Sequence, residues 1–357
     1  MRQWRYFYRV WLFFIFGIVV VWVTGAVTGC GKRQDDMAQN SGKAESRKRI
    51  VRISLGQSES HPQYIGLLAF QDYVEEHLGD KYEVQIFPNE ILGATQRAVE
   101  LTQTGSIDFV VAGTANLETF ADVYEIFSMP YLFDSPEEYR ALMEDEAFTK
   151  GIYESTDEAG VRVLTWYDAG TRNFYARKPI ETPEDLKGMK IRVQQSPASV
   201  KMMQAFGAAA SPMSFGEVYT AIQQGVIDGA ENNELALTNN KHGEVAKYFT
   251  YNMHQMVPDM LVGNLKFLNG LSEEERRVFE EAAALSTQVE REEWERQVEE
   301  AKNTAMKEMG VTFLEVDLEP FRERVMPMQQ EMLEENPAIV ELYQYIQEKK
   351  EKKGQGK

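Results

Sequence analysis

The sequence feature that most constrains the fold is a short internal repeat. Residues 101–108 read LTQTGSID and residues 221–228 read AIQQGVID, so each copy holds a helix end, a Gly and an Ile-Asp pair that opens a strand. Glycine is typical of a helix end because it adopts the left-handed backbone without strain. Small residues at 112–114 and 229–231 predict a turn after each strand. Two similar lobes with loops at a shared crevice would produce this repeat, and chance similarity is the alternative.

The first part of the body predicts strands and helices in alternation. Residues 50–56 and 82–87 have the apolar pattern of short strands, and residues 63–78 and 94–103 have helical spacing. The order strand, helix, strand, helix predicts parallel sheets of the α/β class. Apolar residues make up 43% of the chain, which is enough for a core and excludes disorder throughout.

Helix-start signals mark the second half of the chain. Residues 182–185 (TPED) combine an N-cap threonine with a proline and two acids, and residues 214–217 (SFGE) form a capping box. Between them, residues 190–194 predict a strand. The apolar stretch at 257–265 is expected to return the chain to the first lobe.

A long helix is predicted from the capping box at residues 272–275 until Gly310. At about 1.5 Å per residue it would exceed ~50 Å, which is more than one lobe can cover. We therefore expect it to lie across both lobes with its many Glu side chains in solvent. The predicted lobes are residues 50–169 plus 258–297 and residues 170–257 plus 298–345, followed by a frayed tail at 346–357.

The amino terminus predicts export and attachment to a membrane. Residues 1–30 hold a basic start, an apolar run at 10–23 and small residues before Cys30, as in a signal peptide. The end of this segment, VTGC, resembles the bacterial lipobox, whose cysteine is lipidated, and Cys30 is the only cysteine in the chain. An uncleaved signal anchor is the alternative. Residues 31–49 have the composition of a flexible tether, so we expect a lipid-anchored extracytoplasmic body, in the periplasm or on the outer face of the plasma membrane.

Composition and motifs exclude several functions. The formal net charge is −18 and the first 49 residues are net basic, so the body is more acidic still and would repel nucleic acid. One cysteine and four scattered histidines predict neither a disulfide framework nor a metal cluster. The sequence lacks GxSxG, GxGxxG, phosphate-loop and HExxH motifs, so we expect no cofactor and no enzymatic activity.

Two arginines are the strongest candidates for chemistry. Arg172 follows an apolar strand, and Arg192 lies between Ile191 and Val193 in a segment that predicts burial. A guanidinium is costly to bury unless a carboxylate or phosphate occupies its planar set of donors. An internal salt bridge and a bound acid would each satisfy this requirement, and the residues alone leave both open.

Several motifs follow one another in a recognisable order. They are GTRNF at 170–174, TPEDLKG at 182–188, KIRV at 190–193, PMSFGEVYTA at 212–221 and GVIDGAEN at 225–232, with GSID at 105–108 and MPYLF at 129–133 further out. Together they resemble the solute-binding receptors of tripartite ATP-independent periplasmic (TRAP) transporters, in the dicarboxylate-receptor (DctP-like) branch. The similarity covers nearly all of residues 50–345.

The resemblance implies a fold, a function and residue roles. It implies a two-lobed, periplasmic-binding-protein-like α/β fold that closes on an organic acid and delivers it to an ion-coupled membrane permease. By the family pattern, Arg192 holds the ligand carboxylate as a bidentate pair and Arg172 adds a second cation or donor. Asn232 would donate to the same carboxylate, and Phe215 would pack on the ligand.

The class of ligand follows from weaker signals. The segment ENNE at 231–234, with His242 and Lys247, resembles the receptors associated with sugar acids such as hexuronates. Polar side chains that could contact a polyhydroxylated ligand are Glu59, His61, Asn116, Glu231 and Asn233. His61 could instead cap a turn. The alternative ligand is a C4-dicarboxylate or another carboxylate. Two other functional classes remain as alternatives, an envelope enzyme that acts on sugar acids and an adhesin or scaffold that has lost its ligand.

Overall fold

The computed structural model describes residues 47–355. The predicted signal peptide, Cys30 and nearly all of the predicted tether lie outside the described residues. Within the described range, no helix is long and apolar enough to cross a membrane.

Strands and helices alternate along the described chain. The strands are β1 (Arg49–Ser54), β2 (Tyr82–Phe87), β3 (Phe109–Gly113), β4 (Val161–Tyr167), β5 (Arg172–Ala176), β6 (Lys190–Val193), β7 (Ala209–Pro212), β8 (Gly229–Asn232), β9 (Tyr248–Gln255), β10 (Asp259–Asn264) and β11 (Thr312–Glu315). The helices are α1 (Pro62–Leu78), α2 (Thr95–Gln103), α3 (Thr114–Leu117), α4 (Pro136–Met143), α5 (Glu146–Glu154), α6 (Pro197–Phe206), α7 (Val218–Gln223), α8 (Leu235–Thr238), α9 (Leu265–Asn269), α10 (Glu273–Lys307), α11 (Glu319–Glu335) and α12 (Val340–Gln355). Short 3-10 helices occur at Asp122–Ser128, Asp157–Ala159, Pro183–Leu186, Phe215–Glu217, His242–Glu244 and Pro337–Ile339.

The strands form two sheets with the same internal arrangement. The first sheet has the order β2-β1-β3-β10-β4, and the second has the order β11-β9-β5-β8-β6-β7. In the first sheet β1 pairs in parallel with β2 and β3, and β10 runs antiparallel to β3. In the second sheet β6 pairs in parallel with β7 and β8, and β5 runs antiparallel to β8. This confirms two similar α/β lobes, but the prediction of parallel sheets is wrong for one strand in each. Strand β10 runs antiparallel to both β3 and β4, and strand β5 runs antiparallel to both β8 and β9, because each of these strands enters from the opposite sheet.

The internal repeat has a structural role in each sheet. The glycines of the two copies have φ angles of 79° and 72°, as expected at helix ends. The Asp108 carboxylate accepts the backbone N–H of Arg52 at 2.8 Å, and the Asp228 carboxylate accepts the backbone N–H of Lys190 at 2.9 Å. The acid of each copy therefore ties its segment to the backbone of the neighbouring parallel strand.

The turn predicted at residues 229–231 is wrong, because these residues form strand β8. A Cβ atom at Gly229 would lie 2.4 Å from the carbonyl oxygen of Tyr175 on strand β5. The glycine is therefore required by close strand pairing and not by a turn. In the first copy, helix α3 begins at Thr114, directly after the strand.

Helix α10 confirms the predicted long helix. Ser272 and Glu275 form the predicted capping box, in which each side chain accepts the backbone N–H of the other residue. Near the start of the helix, Phe279 and Ala282 pack in the core of the first sheet. Near its end, Ala305 packs in the core of the second sheet. The helix thus spans both lobes.

The chain passes from the first sheet to the second between β4 and β5 and returns between β9 and β10. The lobe boundaries at 169/170 and 257/258 stay a prediction. The predicted frayed tail at 346–357 is wrong up to Gln355, because helix α12 continues to that residue and Ile346 is fully buried. Tyr345 also stacks on Phe148 of helix α5 at 5.9 Å, so the carboxyl-terminal helix packs on the first lobe.

Candidate functional site

Corresponding edges of the two sheets carry polar residues to a common cavity. In the second sheet the ends of β6 and β8 meet the start of β5, because β5 runs opposite to β8, and this brings together Arg192, Asn232 and Arg172. In the first sheet the end of β3 meets the start of β10, which places Gly113 beside Asp259. Of the residues predicted from the sequence, those that line the cavity are His61, Asn116, Arg172, Arg192, Phe215, Asn232 and Asn233.

The guanidinium of Arg192 is buried without an ion pair among the described residues. Only 4% of the residue is exposed. Its Nε and Nη2 atoms both donate to the carbonyl oxygen of Met213, at 3.1 and 2.9 Å, and the ring centroid of Phe215 lies 5.4 Å from its Cζ. Burial lowers the pKa of Arg192, and the nearby charge of Glu231 partly offsets this shift. The remaining donors can therefore take an anion that enters the cavity.

Arg172 forms an internal salt bridge. Its Nε and Nη2 atoms donate to the two carboxylate oxygens of Glu231 at 2.5 and 2.8 Å, and both residues are buried. Burial would raise the pKa of Glu231, but the charge of Arg172, the His254 ring 3.5 Å away and the hydrogen bonds from Arg172 lower it to about 2. The structure therefore places Glu231 with Arg172 and not among the residues lining the cavity. The charge of Arg172 is already compensated.

Asn232 connects the salt bridge to the cavity. Its Oδ1 accepts the backbone N–H of Asn233 at 2.9 Å and the Nη1 of Arg172 at 3.3 Å. This leaves the amide NH2 of Asn232 as a donor at the cavity wall. Asn233 also lines the cavity, but its Nδ2 donates to the carbonyl of Ala169 at 3.0 Å and its Oδ1 accepts the backbone N–H of Leu235 at 3.0 Å.

The first lobe contributes His61 and Asn116 to the cavity. The Nδ1 of His61 accepts the backbone N–H of Gln63 at 3.2 Å and caps helix α1, as the alternative interpretation expects. Burial lowers the pKa of His61 to about 3, so the ring is neutral and its Nε2 carries the proton. The side chain of Asn116 forms no hydrogen bond with any described residue. Glu59 is exposed and does not line the cavity.

The lining residues that the sequence did not single out include Gln63, Gln194, Asp259 and Trp294. Trp294 belongs to the apolar stripe of the long helix, and its ring meets that of His61 edge-on at 5.9 Å. The one available signal for Asp259 is an acid placed directly after a proline at the start of an apolar strand. Residues this far apart in sequence meet only through the strand order.

Hydrogen bonds join the two lobes around the cavity. The carboxylate of Glu90 accepts the backbone N–H of Gly216 at 3.1 Å. Glu118 accepts hydrogen bonds from the hydroxyl groups of Ser196, at 2.7 Å, and Ser128. Burial raises the pKa of Glu118 to about 7, against the effect of these two hydrogen bonds. Among the described residues, no group of three or more His, Cys, Asp and Glu could hold a metal ion.

Two similar lobes, a polar cavity at their sheet edges and a helix across both define a two-lobed solute-binding protein. The chain belongs to the DctP family, bacterial extracellular solute-binding protein family 7, whose model matches residues 53–336. This finding confirms the family expected from the motifs.

Solved structures and a curated relative resemble the chain over most of its length. A TRAP periplasmic solute-binding protein of Anaerococcus prevotii, crystallised with bound D-glucuronate, is 53% identical, with a TM-score of 0.84 over 85% of this chain and 99% of that chain. One from Sulfitobacter, with bound β-D-galacturonate, is 32% identical, with a TM-score of 0.80 over 83% of this chain and 98% of that chain. A Salmonella typhimurium protein, YiiZ, is 41% identical over 84% of this chain and 91% of its own length.

Proposed function

We propose that this protein is the receptor of a TRAP transporter that binds a hexuronate, D-glucuronate or D-galacturonate, and delivers it to the membrane permease. The observation that carries the proposal is the buried guanidinium of Arg192, which lines the cavity and forms no ion pair with a described residue. The hexuronates bound by the Anaerococcus and Sulfitobacter relatives support the class of ligand.

In the proposed complex the uronate carboxylate pairs with Arg192 and accepts a hydrogen bond from the amide NH2 of Asn232. Arg172 acts as a positioning residue, because its Nη1 donates to the Oδ1 of Asn232 at 3.3 Å while Glu231 balances its charge. Phe215 packs on the ligand beside Arg192. The neutral His61 donates from its Nε2, and Asn116 offers both a donor and an acceptor to the sugar hydroxyl groups.

The proposal is a binding cycle without catalysis. The ligand meets Arg192 on the second lobe, and contacts from the first lobe then stabilise the closed form. An envelope enzyme would instead convert the uronate. Recovery of unchanged uronate after long incubation with the protein, measured by proton NMR, would support the receptor, and a new sugar product would contradict it.

We further propose that Cys30 carries a lipid and tethers the receptor to the outer side of a membrane through residues 31–49. The support is the VTGC sequence with the only cysteine at its end. Mass spectrometry of the protein from its native membrane should show acyl chains on Cys30, and a Cys30→Ser variant should leave the membrane fraction. An unmodified Cys30 at an uncleaved leader would contradict the anchor.

Titration calorimetry with a ligand panel tests the proposed function. D-Glucuronate and D-galacturonate should bind the purified protein with a micromolar or smaller dissociation constant. This corresponds to a binding free energy of about −8 kcal/mol or a more negative value. Succinate and malate should bind at least ~100-fold more weakly, since neither supplies the sugar hydroxyl groups for the first lobe. Tight binding of the C4 acids with no binding of the uronates would overturn the proposed ligand class.

A further inference from the structure

The charges that line the cavity are unevenly distributed between the two lobes. On the second lobe, Arg192 has no ion pair with a described residue, while the charge of Arg172 is compensated by Glu231. On the first lobe, Asp259 lies at the start of β10, the position in the first sheet that corresponds to Arg172 at the start of β5 in the second. Equivalent places in the two sheets therefore hold residues of opposite charge.

Asp259 has a free oxygen on the cavity side. Its Oδ2 accepts a hydrogen bond from the Nε2 of Gln63 at 2.5 Å, and its Oδ1 accepts none from a described residue. Glu90 is the other lining carboxylate, and its oxygens already accept the backbone N–H groups of Gly216 at 3.1 Å and Thr95 at 3.3 Å. Of these two lining carboxylates, Asp259 is therefore the one with an oxygen, Oδ1, that accepts no hydrogen bond from a described residue.

The local structure keeps this oxygen accessible and close to the second lobe. A Cβ atom at Gly113 would lie 2.9 Å from the Oδ1 of Asp259 and 2.8 Å from the Nε2 of Gln194, so a side chain there would fill the space between them. Gln194 follows strand β6, two residues after Arg192. Gln63, whose side chain orients Asp259, also donates its backbone N–H to the Nδ1 of His61. The proton of the neutral His61 ring therefore lies on Nε2, where it can be donated into the cavity.

We propose that Asp259 is a specificity-determining residue that accepts a hydrogen bond from a ligand hydroxyl and excludes acids with a second carboxylate at their far end. A hydroxyl group can donate to the Oδ1 of Asp259 and accept from a neighbouring N–H, whereas a carboxylate can only accept. A second carboxylate would meet a like charge in a buried site. The inference rests on the proposed uronate function and narrows it to acids with one carboxylate.

The electrostatics of Asp259 agree with this role. Burial raises the pKa of its carboxyl group, and the hydrogen bond from Gln63 and the charge of Arg172 oppose that shift. A second anion beside it would raise the pKa further, so a diacid would bind only with uptake of a proton or against direct repulsion.

The test compares D-glucuronate with D-glucarate, in which a second carboxylate replaces the C1 aldehyde of glucuronate. Because glucuronate closes to a pyranose ring and glucarate stays open-chain, D-gluconate, an open-chain acid with one carboxylate, is the matched control for the lost ring. Titration calorimetry on the full protein should give a preference for glucuronate on the order of 100-fold. In Asp259→Asn the preference should fall by a factor of about 10 or more, since the like charge is removed while the amide can still accept. Asp72→Asn, which removes an exposed carboxylate from helix α1 of the same lobe, should keep the wild-type ratio.

The outcomes separate this inference from the proposed function. Two results would overturn the role of Asp259 and leave the proposed function standing. One is tight binding of glucuronate with equal affinity for glucarate, and the other is an unchanged glucuronate-to-glucarate affinity ratio in a folded Asp259→Asn. No binding of either acid to the wild type would overturn the proposed function and this inference together. If Asp259→Asn fails to give a cooperative melting transition, the wild type still decides the matter. Gluconate should bind more tightly than glucarate, and equal affinities for these two open-chain acids would overturn the role of Asp259.

Discussion

At the scale of single residues, two buried arginines at one cavity have different roles. Arg172 donates two hydrogen bonds to the carboxylate of Glu231. In the part of the chain that the structure describes, the guanidinium of Arg192 donates to a backbone carbonyl, lies beside an aromatic ring and has no carboxylate partner. A buried charge that lacks its partner is strongly destabilising. Arg172 therefore contributes to stability and orientation of the site, and Arg192 is left for the ligand.

The salt bridge predicts a large effect of Arg172→Ala on stability. The substitution leaves Glu231 buried without its partner, so the free energy of unfolding should fall by about 3 to 5 kcal/mol. Arg296→Ala is the matched control. Arg296 pairs with Glu293 and Glu300 on an exposed surface, where ion pairs contribute little, so its loss should cost far less. Urea unfolding measures both values. Equal stability of the two variants would show that the buried pair contributes no more than the exposed one.

The same pair predicts a pH dependence. The pKa of Glu231 falls from 4.5 to about 2 in the folded protein. Its stabilising contribution is therefore complete above about pH 4.5 and is lost as the pH falls through that value towards 2. Unfolding free energies measured across this range should depend on pH less steeply in Arg172→Ala than in the wild type.

The burial of both arginines could be predicted from the sequence, but their division of roles could not. The pattern around Arg192 predicts a buried strand residue, and β6 is such a strand. Glu231 lies 59 residues after Arg172, and the two meet only because β5 runs antiparallel beside β8. Glu59 and Glu231 were expected at the ligand, and no local pattern separates them from the two acids that do line the cavity, Glu90 and Asp259.

At the scale of elements, the close contact between α1 and α10 depends on one glycine. A Cβ atom at Gly66 would lie 2.6 Å from the carbonyl oxygen of Ser286 on α10. Because that neighbour is helix backbone, it cannot move aside like the end of a flexible side chain. The long helix is thus held against the first lobe by backbone proximity as well as by its apolar residues.

This contact predicts opposite effects for two Gly→Ala substitutions within helices. Gly66→Ala should destabilise the protein by about 1 to 3 kcal/mol through overpacking. Gly151→Ala in helix α5 has no atom within 4 Å of the new Cβ and should stabilise by up to about 1 kcal/mol through helix propensity. Thermal unfolding of both variants tests the prediction, and destabilisation of equal size would show that packing against α10 is not the cause.

Elements with local signals were predictable, and those that depend on distant partners were not. Periodicity and the Ser272 capping box predicted α10 correctly, because helix ends are encoded locally. The tail, rich in Lys and Glu, has the composition of a frayed end, but Lys349 pairs with Asp145 at 2.7 Å and Lys350 with Asp134 at 3.1 Å. Those acids lie roughly 200 residues earlier, beyond the reach of any local pattern.

At the scale of the whole molecule, the two lobes already share contacts around the cavity. Glu90 of the first lobe accepts a hydrogen bond from Gly216, and Glu118 accepts one from Ser196. A ligand that binds Arg192 on one lobe and His61 or Asp259 on the other would add to these contacts and shift the population towards the closed form. The internal repeat predicted the two lobes from the sequence, but the positions of these contacts depend on how the sheets are arranged.

The most direct test of this account is the affinity of Arg192→Ala for D-glucuronate, measured by titration calorimetry beside the wild type. The account predicts a dissociation constant weaker by a factor of about 10² to 10³, or about 2.7 to 4.1 kcal/mol, since the ligand carboxylate loses the lining cation that has no ion pair with any described residue. The ligand-free variant should unfold cooperatively, because Arg192 holds no ion pair with a described residue. Wild-type affinity in a folded Arg192→Ala would contradict the account.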